Sequence, residues 1–484
     1  MDRREFLRLG AMAGAAGALA SCSSSNDKAA RIPGTTTTTT TTPRLESVLD
    51  GAANDSGIDT VVVAMLENRS FDSYFGWLAR DEHYLEQGKS RYGSKFAING
   101  SSSQQFPGPD GKPVKTFRRV LANEPQRWRG CAHPDPGHGW EEGRAERDGG
   151  FLAPGSHNDE FALSYFEGED LPFYDLLARR FAVCDRWHAS LLGPTYPNRE
   201  YLLSAQSGGH KTNFLPLAEG GFTWPTIVDR LAAAGVDVAE YASDLPPLLL
   251  WGTRMMPHIR KIEAYAADAA AGKLPSVTFV SPAFVGDNRT DDHPHGDPRA
   301  AQVFARDAFA AFAKSPQWER GLFVLTYDEW GGFFDHVAPQ MLADGRTSKV
   351  DADNFSQAGF RVPTVLASPY AQPGSVDHTL YDHTSILRFI EWRFLGAPAH
   401  GPGASGDKWF LTARDRNANN IGDSLMRAKP RGDIGFDLDV KIDPPGAPCA
   451  ATDPAVALRD VPVGPFEEAL YRGYYDRIGY TVSA

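Results

Sequence analysis

Short apolar runs alternate with amphipathic stretches over most of the chain. The clearest run is "IDTVVVAML" at 58–66, whose length and three consecutive valines are typical of a strand buried on both faces. Similar runs predict further strands at 235–243, 274–284, 321–330 and 360–371. We therefore expect a sheet whose strands are covered on both sides.

Helices are predicted between these strands. Apolar residues recur at three- and four-residue spacing at 225–235, 299–315 and 381–394, and each pattern ends near Gly, Ser or Pro. This alternation of strands and helices predicts an α/β sandwich around a mainly parallel central sheet flanked by helices.

Two long segments depart from the alternation. Residues 77–170 are polar, rich in Gly and Pro and weakly periodic, which predicts an irregular, cap-like insertion over the strand ends. Residues 426–484 are predicted to form an extended tail packed on the domain. The main domain is then expected to span residues 56–425, with the cap inserted in it.

The N-terminus has the features of an export signal. In residues 1–22, Arg3 and Arg4 precede an Ala- and Gly-rich stretch that is too short and too weakly apolar to span a membrane permanently. The arginine pair resembles a twin-arginine signal, and "LASC" resembles a lipoprotein box that would lipidate Cys22 and anchor the protein to a membrane surface. An ordinary secretory signal cleaved near Ala20 is the alternative.

A tether is predicted after the signal. Residues 23–55 are rich in Ser and Thr and poor in apolar side chains, so they cannot bury a core and are expected to be disordered up to the start of the folded part near Ser56. The protein is thus predicted to be extracytoplasmic, either secreted or held in the cell envelope.

Charge and cysteine content narrow the function classes. The 484 residues carry a formal net charge of -12, which argues against nucleic acid as a partner.

Beyond Cys22 there are three cysteines, Cys131, Cys184 and Cys449, which outside the cytoplasm allow one disulfide and one leftover thiol. Their spacing matches no zinc site, and the pairing stays open.

Polar residues gather where two of the predicted strands end. Glu67 and Asn68 follow the run at 58–66, and Asp328 and Glu329 end the run that starts at 321. Ligands of open parallel sheets bind at the carboxyl ends of the strands, and such oxygen donors suit a hard or borderline divalent ion. Loop residues, a helix cap or a solvated turn are the alternatives.

A hydroxyl lies at a predicted helix start. In "GPTYPNR", Thr195 precedes Pro197, which is predicted to lie at the first helical position, where backbone N–H groups favour an anion. Beside a metal ion, the Thr195 hydroxyl is a candidate nucleophile toward phosphorus. The alternative is an ordinary helix cap.

Histidines beside acids fill the remaining loops. They occur in "HPDPGHGW", which holds His133, Asp135 and His138, in "DDHPHGD", which holds Asp291, Asp292, His293 and His295, and in "YDHTS", which holds His383. Such histidines can donate hydrogen bonds to phosphate oxygens or protonate a leaving alkoxide.

Five motifs in order resemble one family. "ENRSFDSYFG", "GPTYPNR", "DDHP", "YDEWGGFFDHV" and "DHTSILRFIEWRF", between Ile58 and Phe394, resemble the bacterial phosphoesterase family of phospholipases C and related acid phosphatases. The resemblance implies a fold like that of alkaline phosphatase. With Thr at position 195, the motif "GPTYPNR" resembles that of the phospholipase C branch, because the acid phosphatase branch often has Ser at this position.

The resemblance also implies roles for the candidate residues. One divalent metal ion would be held by Glu67, Asn68, Asp328 and Glu329 together with Thr195, which would become transiently phosphorylated. The phosphate pocket would be lined by His138, His293 and His383. Possible supporting residues are Asp292, Asp335, His336 and Arg199, whereas Arg69 and Asp72 would brace their loop.

The sequence leaves three candidate functions. The first is a phospholipase C-type phosphodiesterase that splits phospholipids such as phosphatidylcholine into diacylglycerol and a phosphorylated head group. The second is a phosphomonoesterase of broad specificity. The third is a surface lipoprotein that keeps the fold for binding only, against which the intact set of candidate residues argues.

Overall fold

An eight-stranded sheet forms the centre of the computed structural model. The model describes residues 46–119, 128–286, 289–403, 408–426, 430–432, 438, 440–449 and 472–481. The predicted signal, Cys22 and most of the predicted tether lie outside the described residues. In the part of the chain that is described, no helix has the length and apolar character needed to cross a membrane.

Twelve strands are present among the described residues. In chain order they are β1 Thr60–Leu66, β2 Gln105–Pro107, β3 Pro113–Lys115, β4 Phe117–Arg118, β5 Ser164–Tyr165, β6 Ala182–Cys184, β7 Val238–Ala242, β8 Ile259–Lys261, β9 Val277–Ser281, β10 Gly321–Tyr327, β11 Val365–Ala367 and β12 Val376–Asp377. The central sheet has the order β12-β6-β11-β10-β1-β9-β7-β8, while β2 pairs with β3 and β4 with β5.

The central sheet is mainly parallel. Strand β1 lies between β10 and β9 and runs parallel to both, and β7 and β8 continue the parallel arrangement. Within this sheet β11 is antiparallel to β10 and β6. All seven residues of β1 and of β10 are buried, which is why both strands read as continuous apolar runs.

Ten α-helices surround the sheet in the described residues between 71 and 417. They are α1 Phe71–Phe75, α2 Glu82–Tyr92, α3 Trp140–Gly149, α4 Pro172–Arg180, α5 Thr195–Ser204, α6 Ile227–Ala233, α7 Tyr265–Ala270, α8 Pro298–Ala313, α9 Thr384–Leu395 and α10 Ala413–Asn417. Helix α8 packs on β1 and β10, and α9 packs on α5 and α6. The α/β class with a mainly parallel sheet, predicted from the sequence, is confirmed.

The folded part begins earlier in the chain than the sequence predicted. Ser47 caps a short 3-10 helix at Val48–Asp50, and Val48 and Leu49 are buried in the main core. The prediction that the tether extends to residue 55 is therefore wrong. Only two apolar side chains mark this segment, which is too few to produce a periodic pattern in the sequence.

The cap-like segment and the tail are more regular than expected. Residues 77–170 contain α2 and α3 as well as four short strands. In the tail, residues 472–477 are helical, and the hydroxyl groups of Tyr474 and Tyr475 donate to backbone carbonyls of Leu249 and Pro246. The described end of the tail is thus packed on the domain but is not wholly extended.

A disulfide ties the tail to the cap-like segment. Cys131 and Cys449 are bonded across a sequence separation of 318 residues, and Cys184 is a buried free thiol. This resolves the pairing that the sequence left open.

We expect this disulfide to stabilise the folded protein. Replacing Cys131 and Cys449 together by Ser should lower the free energy of unfolding by about 2–5 kcal/mol, because the unfolded chain regains the freedom that a long closed loop removes. Urea denaturation of the mature protein measures this, and adding a reductant to the wild type should reproduce the loss. Equal unfolding curves for variant and wild type would contradict the expectation.

Candidate active site and metal centre

The polar residues after β1 and β10 leave the sheet side by side. Leu66 of β1 pairs with Tyr327 of β10, so Glu67 and Asp328 come next on neighbouring parallel strands. The backbone N–H of Asn68 donates to Asp328 Oδ1 over 3.2 Å, which joins the two strand ends directly. The predicted meeting of these residues at one edge is therefore present in the structure.

Two unusual backbone conformations let the two loops approach each other. Asn68 has φ 61°, in the left-handed region, where Asn is one of the few residues tolerated without glycine's freedom. Gly331 has φ 64°, and a Cβ atom there would lie 2.3 Å from the carbonyl oxygen of Asn68. Gly331 is thus needed for the close contact between the loops.

Three carboxylates at this edge are buried together. Glu67 is 6% exposed, and Asp328 and Glu329 are fully buried. Burial raises the pKa of Glu67 and of Glu329 well above the ordinary value, and the neighbouring charge of Asp328 raises both further. Burial also raises the pKa of Asp328, to about 6. Glu67 and Glu329 therefore favour the protonated form unless a cation takes the place of the protons.

Arg199 supplies one positive charge to the carboxylates. Its Nε donates to Asp328 Oδ2 over 3.1 Å, and its Nη2 lies 3.4 Å from Glu67 Oε1. Arg199 belongs to α5 and is buried, so it is a fixed counter-charge rather than a mobile one. One guanidinium does not balance three carboxylates.

The donor atoms at this edge fit a divalent cation. Asn68 Oδ1 and Glu329 Oε1 are buried and have no hydrogen-bond partner among the described residues, although such oxygens are costly to leave unsatisfied. Carboxylate and amide oxygens are ligands of hard and borderline divalent ions. Glu67, Asn68, Asp328 and Glu329 are therefore the residues that would hold such an ion.

Thr195 is the first residue of helix α5 and is 5% exposed. Pro194 occupies the N-cap position, so the alternative interpretation of Thr195 as the helix cap is wrong. Residues four apart share a face of a helix, which places Thr195 on the same side of α5 as Arg199, whose guanidinium reaches Asp328 and Glu67.

The loop before Thr195 is fixed by one amide side chain. Asn198 accepts a hydrogen bond from the Leu191 N–H and donates to the carbonyls of Leu191, Gly193 and Pro194. This holds the "GPTYPNR" turn in one conformation. Asn213 Oδ1 accepts from the Tyr196 N–H, one of the first N–H groups of the helix, which have no partner within the helix itself.

His138 and His293 lie beside this edge, together with Asp135. His293 Nε2 is 3.5 Å from Asp135 Oδ2, and the two imidazole rings are 5.7 Å apart. The amide Nδ2 of Asn68 lies 3.3 Å from His138 Nε2. Burial lowers the pKa of His138 and of His293, so both rings tend to be neutral. Asp135 was noted in its motif but was not among the predicted site residues.

His383 is engaged on both ring nitrogens. Nδ1 accepts a hydrogen bond from Trp187 Nε1, and Nε2 donates to the backbone carbonyl of Asp328 over 2.7 Å. Burial lowers the pKa of His383 to about 4. The ring thus fixes the backbone of Asp328 and presents no free nitrogen to a phosphate group. This differs from the prediction that His383 lines the phosphate pocket.

Asp292 lies in a separate buried network. It accepts from Arg69 over 3.2 Å and from the hydroxyl groups of Tyr74 and Tyr327. Arg69 in turn donates to the carbonyl of Asn68. Asp292 therefore supports the site through the loop after β1, and Arg69 braces that loop as expected.

Asp335 and His336 belong to another cluster. Asp335 pairs with Arg361 at 2.9 Å, Arg361 also pairs with Asp72 at 3.1 Å, and His336 Nδ1 bonds Asp72 Oδ2. The contacts recorded for Asp335 and His336 do not include the residues at the ends of β1 and β10. Asp72 thus braces the loop, as predicted, and these two motif residues do so with it.

A comparison with protein families identifies the family of this chain. The model of the phosphoesterase family matches residues 58–395. The chain belongs to the phosphoesterase family. The predicted resemblance is confirmed, and the protein is a phosphoric ester hydrolase.

Curated relatives carry phospholipase C names. The chain is 32% identical over 436 residues to non-specific phospholipase C6 of Arabidopsis thaliana, which covers 82% of this chain and 77% of that protein. It is 28% identical over 548 residues to non-hemolytic phospholipase C of Pseudomonas aeruginosa, covering 99% and 74%. Phospholipase C B of Mycobacterium tuberculosis is 29% identical, covering 70% and 74%.

Solved structures overlap only loosely. A protein in the alkaline phosphatase superfamily from Vibrio parahaemolyticus aligns with a TM-score of 0.31 and 9% identity, covering 64% of this chain and 74% of that one. Because a TM-score this low does not establish a shared fold, the fold class is assigned from the central sheet described above.

We expect Asp292 to be essential for stability. The change Asp292→Asn should lower the free energy of unfolding by about 3–5 kcal/mol, because Arg69 stays buried after losing its charged partner. Chemical denaturation measures the loss. The control Asp110→Asn, which removes an exposed ion pair with Lys112, should leave the unfolding curve unchanged. Equal stabilities of the two variants would contradict the role given to Asp292.

Proposed function

We propose that the protein is a phospholipase C-type phosphodiesterase that cleaves the glycerol-side P–O bond of phospholipids such as phosphatidylcholine. The products are diacylglycerol and a phosphorylated head group. The observation that carries the proposal is the group of buried oxygen donors at the ends of β1 and β10 beside the helix that starts at Thr195. The phospholipase C names of the relatives support the choice of substrate class.

The proposed mechanism uses one divalent metal ion of unknown identity. Glu67, Asn68, Asp328, Glu329 and Thr195 would hold it. When bound, this ion supplies Lewis-acid chemistry and favours the ionised form of a nearby hydroxyl group. Arg199 favours the ionised forms of Glu67 and Asp328 and holds both side chains in place, which preserves them as ligands.

Thr195 is the proposed nucleophile. Its Oγ1 attacks phosphorus, a new P–O bond forms, and the bond to the glycerol oxygen breaks. The Thr195 hydroxyl gives its proton to solvent as it attacks, and the departing glycerol oxygen takes up a proton from solvent and leaves as diacylglycerol. Water then attacks the phosphothreonine, which restores the Thr195 hydroxyl and releases the phosphorylated head group. The start of helix α5 helps because the positive end of the helix dipole favours the anionic phosphoryl group.

Location near a membrane suits such a substrate. The twin-arginine signal and lipidation at Cys22 are proposed from the sequence, since residues 1–45 lie outside the described part. A lipid anchor would raise the local concentration of membrane phospholipid around the enzyme. Mass analysis of the mature N-terminus decides between an acylated Cys22 and a signal cleaved near Ala20.

Product analysis tests the proposed reaction. Purified mature protein is incubated with phosphatidylcholine micelles, with added divalent ions or with a chelator, and the products are identified by mass. We expect diacylglycerol and phosphocholine, and the chelator should abolish both. Release of phosphate from simple monoesters without any lipid cleavage would instead favour the phosphomonoesterase, and no turnover with either would favour a binding protein.

A hydroxyl series tests the nucleophile. The isosteric change Thr195→Val should lower kcat by at least about a thousandfold, because no nucleophilic oxygen remains, whereas Thr195→Ser should keep measurable activity. Circular dichroism checks that both variants fold. Activity of the valine variant close to that of the wild type would exclude Thr195 as the nucleophile.

A further inference from the structure

Exposed large apolar side chains of the described residues are confined to two loops. They are Phe214, which is 38% exposed, and Met341 and Val350, which are each 58% exposed. Phe214 lies in the 207–220 loop between α5 and α6, and the other two lie in the 339–358 loop between β10 and β11. Single exposed apolar residues spread over a surface are ordinary, whereas their restriction to two loops indicates an interaction surface.

The two loops adjoin each other. Lys211 Nζ donates to Asp353 Oδ1 over 2.7 Å, which joins the first loop to the second. Arg346 packs against Gly209, since a Cβ atom added to that glycine would lie 3.2 Å from Arg346 Nη1. The exposed side chains of both loops therefore belong to one surface.

This surface adjoins the turn that carries Thr195. The N–H of Leu192 donates to the carbonyl of Gln357 over 3.1 Å, and the exposed methionine forms an antiparallel bridge with Gln357. The N–H of Tyr196 donates to Asn213 Oδ1 over 2.8 Å, and the exposed phenylalanine directly follows Asn213 in the chain. Each loop is thus hydrogen-bonded to one side of the proposed nucleophile.

Positive charge is available on the same surface. The acids of the 339–358 loop each have a cation nearby: Asp344 lies 3.5 Å from Arg414, Asp351 lies 2.9 Å from Arg147, and Asp353 binds Lys211. Arg346 and Lys349 are exposed and form no ion pair with the described acids, whereas Glu219 is an exposed acid of the 207–220 loop. Two such cations against one exposed acid make this surface attractive to anionic lipid, although the whole chain has a net charge of -12.

We propose that these two loops bind the surface of a phospholipid bilayer. The residues that carry the contact are Phe214, Met341, Val350, Arg346 and Lys349. Exposed apolar side chains enter the boundary between head groups and acyl chains, and basic side chains pair with anionic head groups. Such binding brings the turn of Thr195 near the phosphates of the lipid. The inference rests on the proposed lipid substrate for its purpose, but vesicle binding is measured without turnover.

Cosedimentation with vesicles tests the apolar contact. Mature protein carrying Cys22→Ser, which removes the acylation site, is mixed with phosphatidylcholine vesicles with or without phosphatidylglycerol, in a chelator that prevents the proposed hydrolysis. The double variant Met341→Gln/Val350→Thr should lower the partition coefficient by about tenfold, because less apolar surface leaves water. Phe214 stays unchanged because its ring stacks on that of His210 at 4.4 Å. Circular dichroism checks that the double variant folds.

A charge variant tests the basic contact. Lys349→Ser should lower the partition coefficient by about fivefold on vesicles with phosphatidylglycerol and leave it nearly unchanged on those without. Lys314→Ser is the matched control, because Lys314 is exposed at the end of α8, shortly before β10 begins, at the sheet edge opposite to the site. That control should bind both kinds of vesicle as the wild type does.

A dye on the surface gives a second readout. Met341→Cys and Lys314→Cys are each labelled with a polarity-sensitive dye in the same Cys22→Ser background, where Cys184 is a buried thiol and the other two cysteines are bonded. Vesicles should shift the emission of the label at position 341 to shorter wavelength and leave that at position 314 unchanged.

These outcomes bear on the surface independently of the reaction. Absence of wild-type binding to either kind of vesicle would overturn the proposal and favour a protein partner for the two loops. Equal binding of the wild type and the double variant, with no emission change at position 341, would also overturn it. Vesicle binding that depends on the two apolar side chains would support the surface even if product analysis found no lipid cleavage.

Discussion

Buried like charges at the ends of β1 and β10 are the constraint on which the site depends. Two ionised carboxylates about 4 Å apart repel each other by about 4 kcal/mol at the effective dielectric constant typical of protein sites. Glu67, Asp328 and Glu329 are therefore stable together only with protons or cations among them. Arg199 balances one of the three charges, and a divalent ion is the simplest balance for the others.

The rest of the structure keeps these acids from moving apart. His383 fixes the backbone of Asp328, Arg69 and Asp292 support the loop of Asn68, and Gly331 allows the two loops to touch. Several motif residues thus act as supports of the candidate metal ligands. Their roles in buried polar networks explain why the motifs contain charged residues besides those at the ends of β1 and β10.

The sequence predicted the sheet edge well, because β1 and β10 are continuous apolar runs and polar residues follow each run directly in the chain. It could not assign His383 or Asp292, since a histidine's tautomer and an acid's partners depend on distant residues such as Trp187 and Arg69. It missed Asp135 as a site residue for the same reason, because His293 approaches it only in the folded protein. The pairing of Cys131 with Cys449 likewise depends on where the C-terminal tail packs against the cap-like segment.

Anomalous X-ray diffraction from crystals of the metal-loaded protein tests the central claim most directly. The account predicts an anomalous peak about 2.0–2.2 Å from oxygens of Glu67, Asn68, Asp328 and Glu329, with Thr195 Oγ1 next to it. A peak at the Asp72 and Asp335 cluster alone, or a Thr195 hydroxyl turned away from the ion, would contradict it.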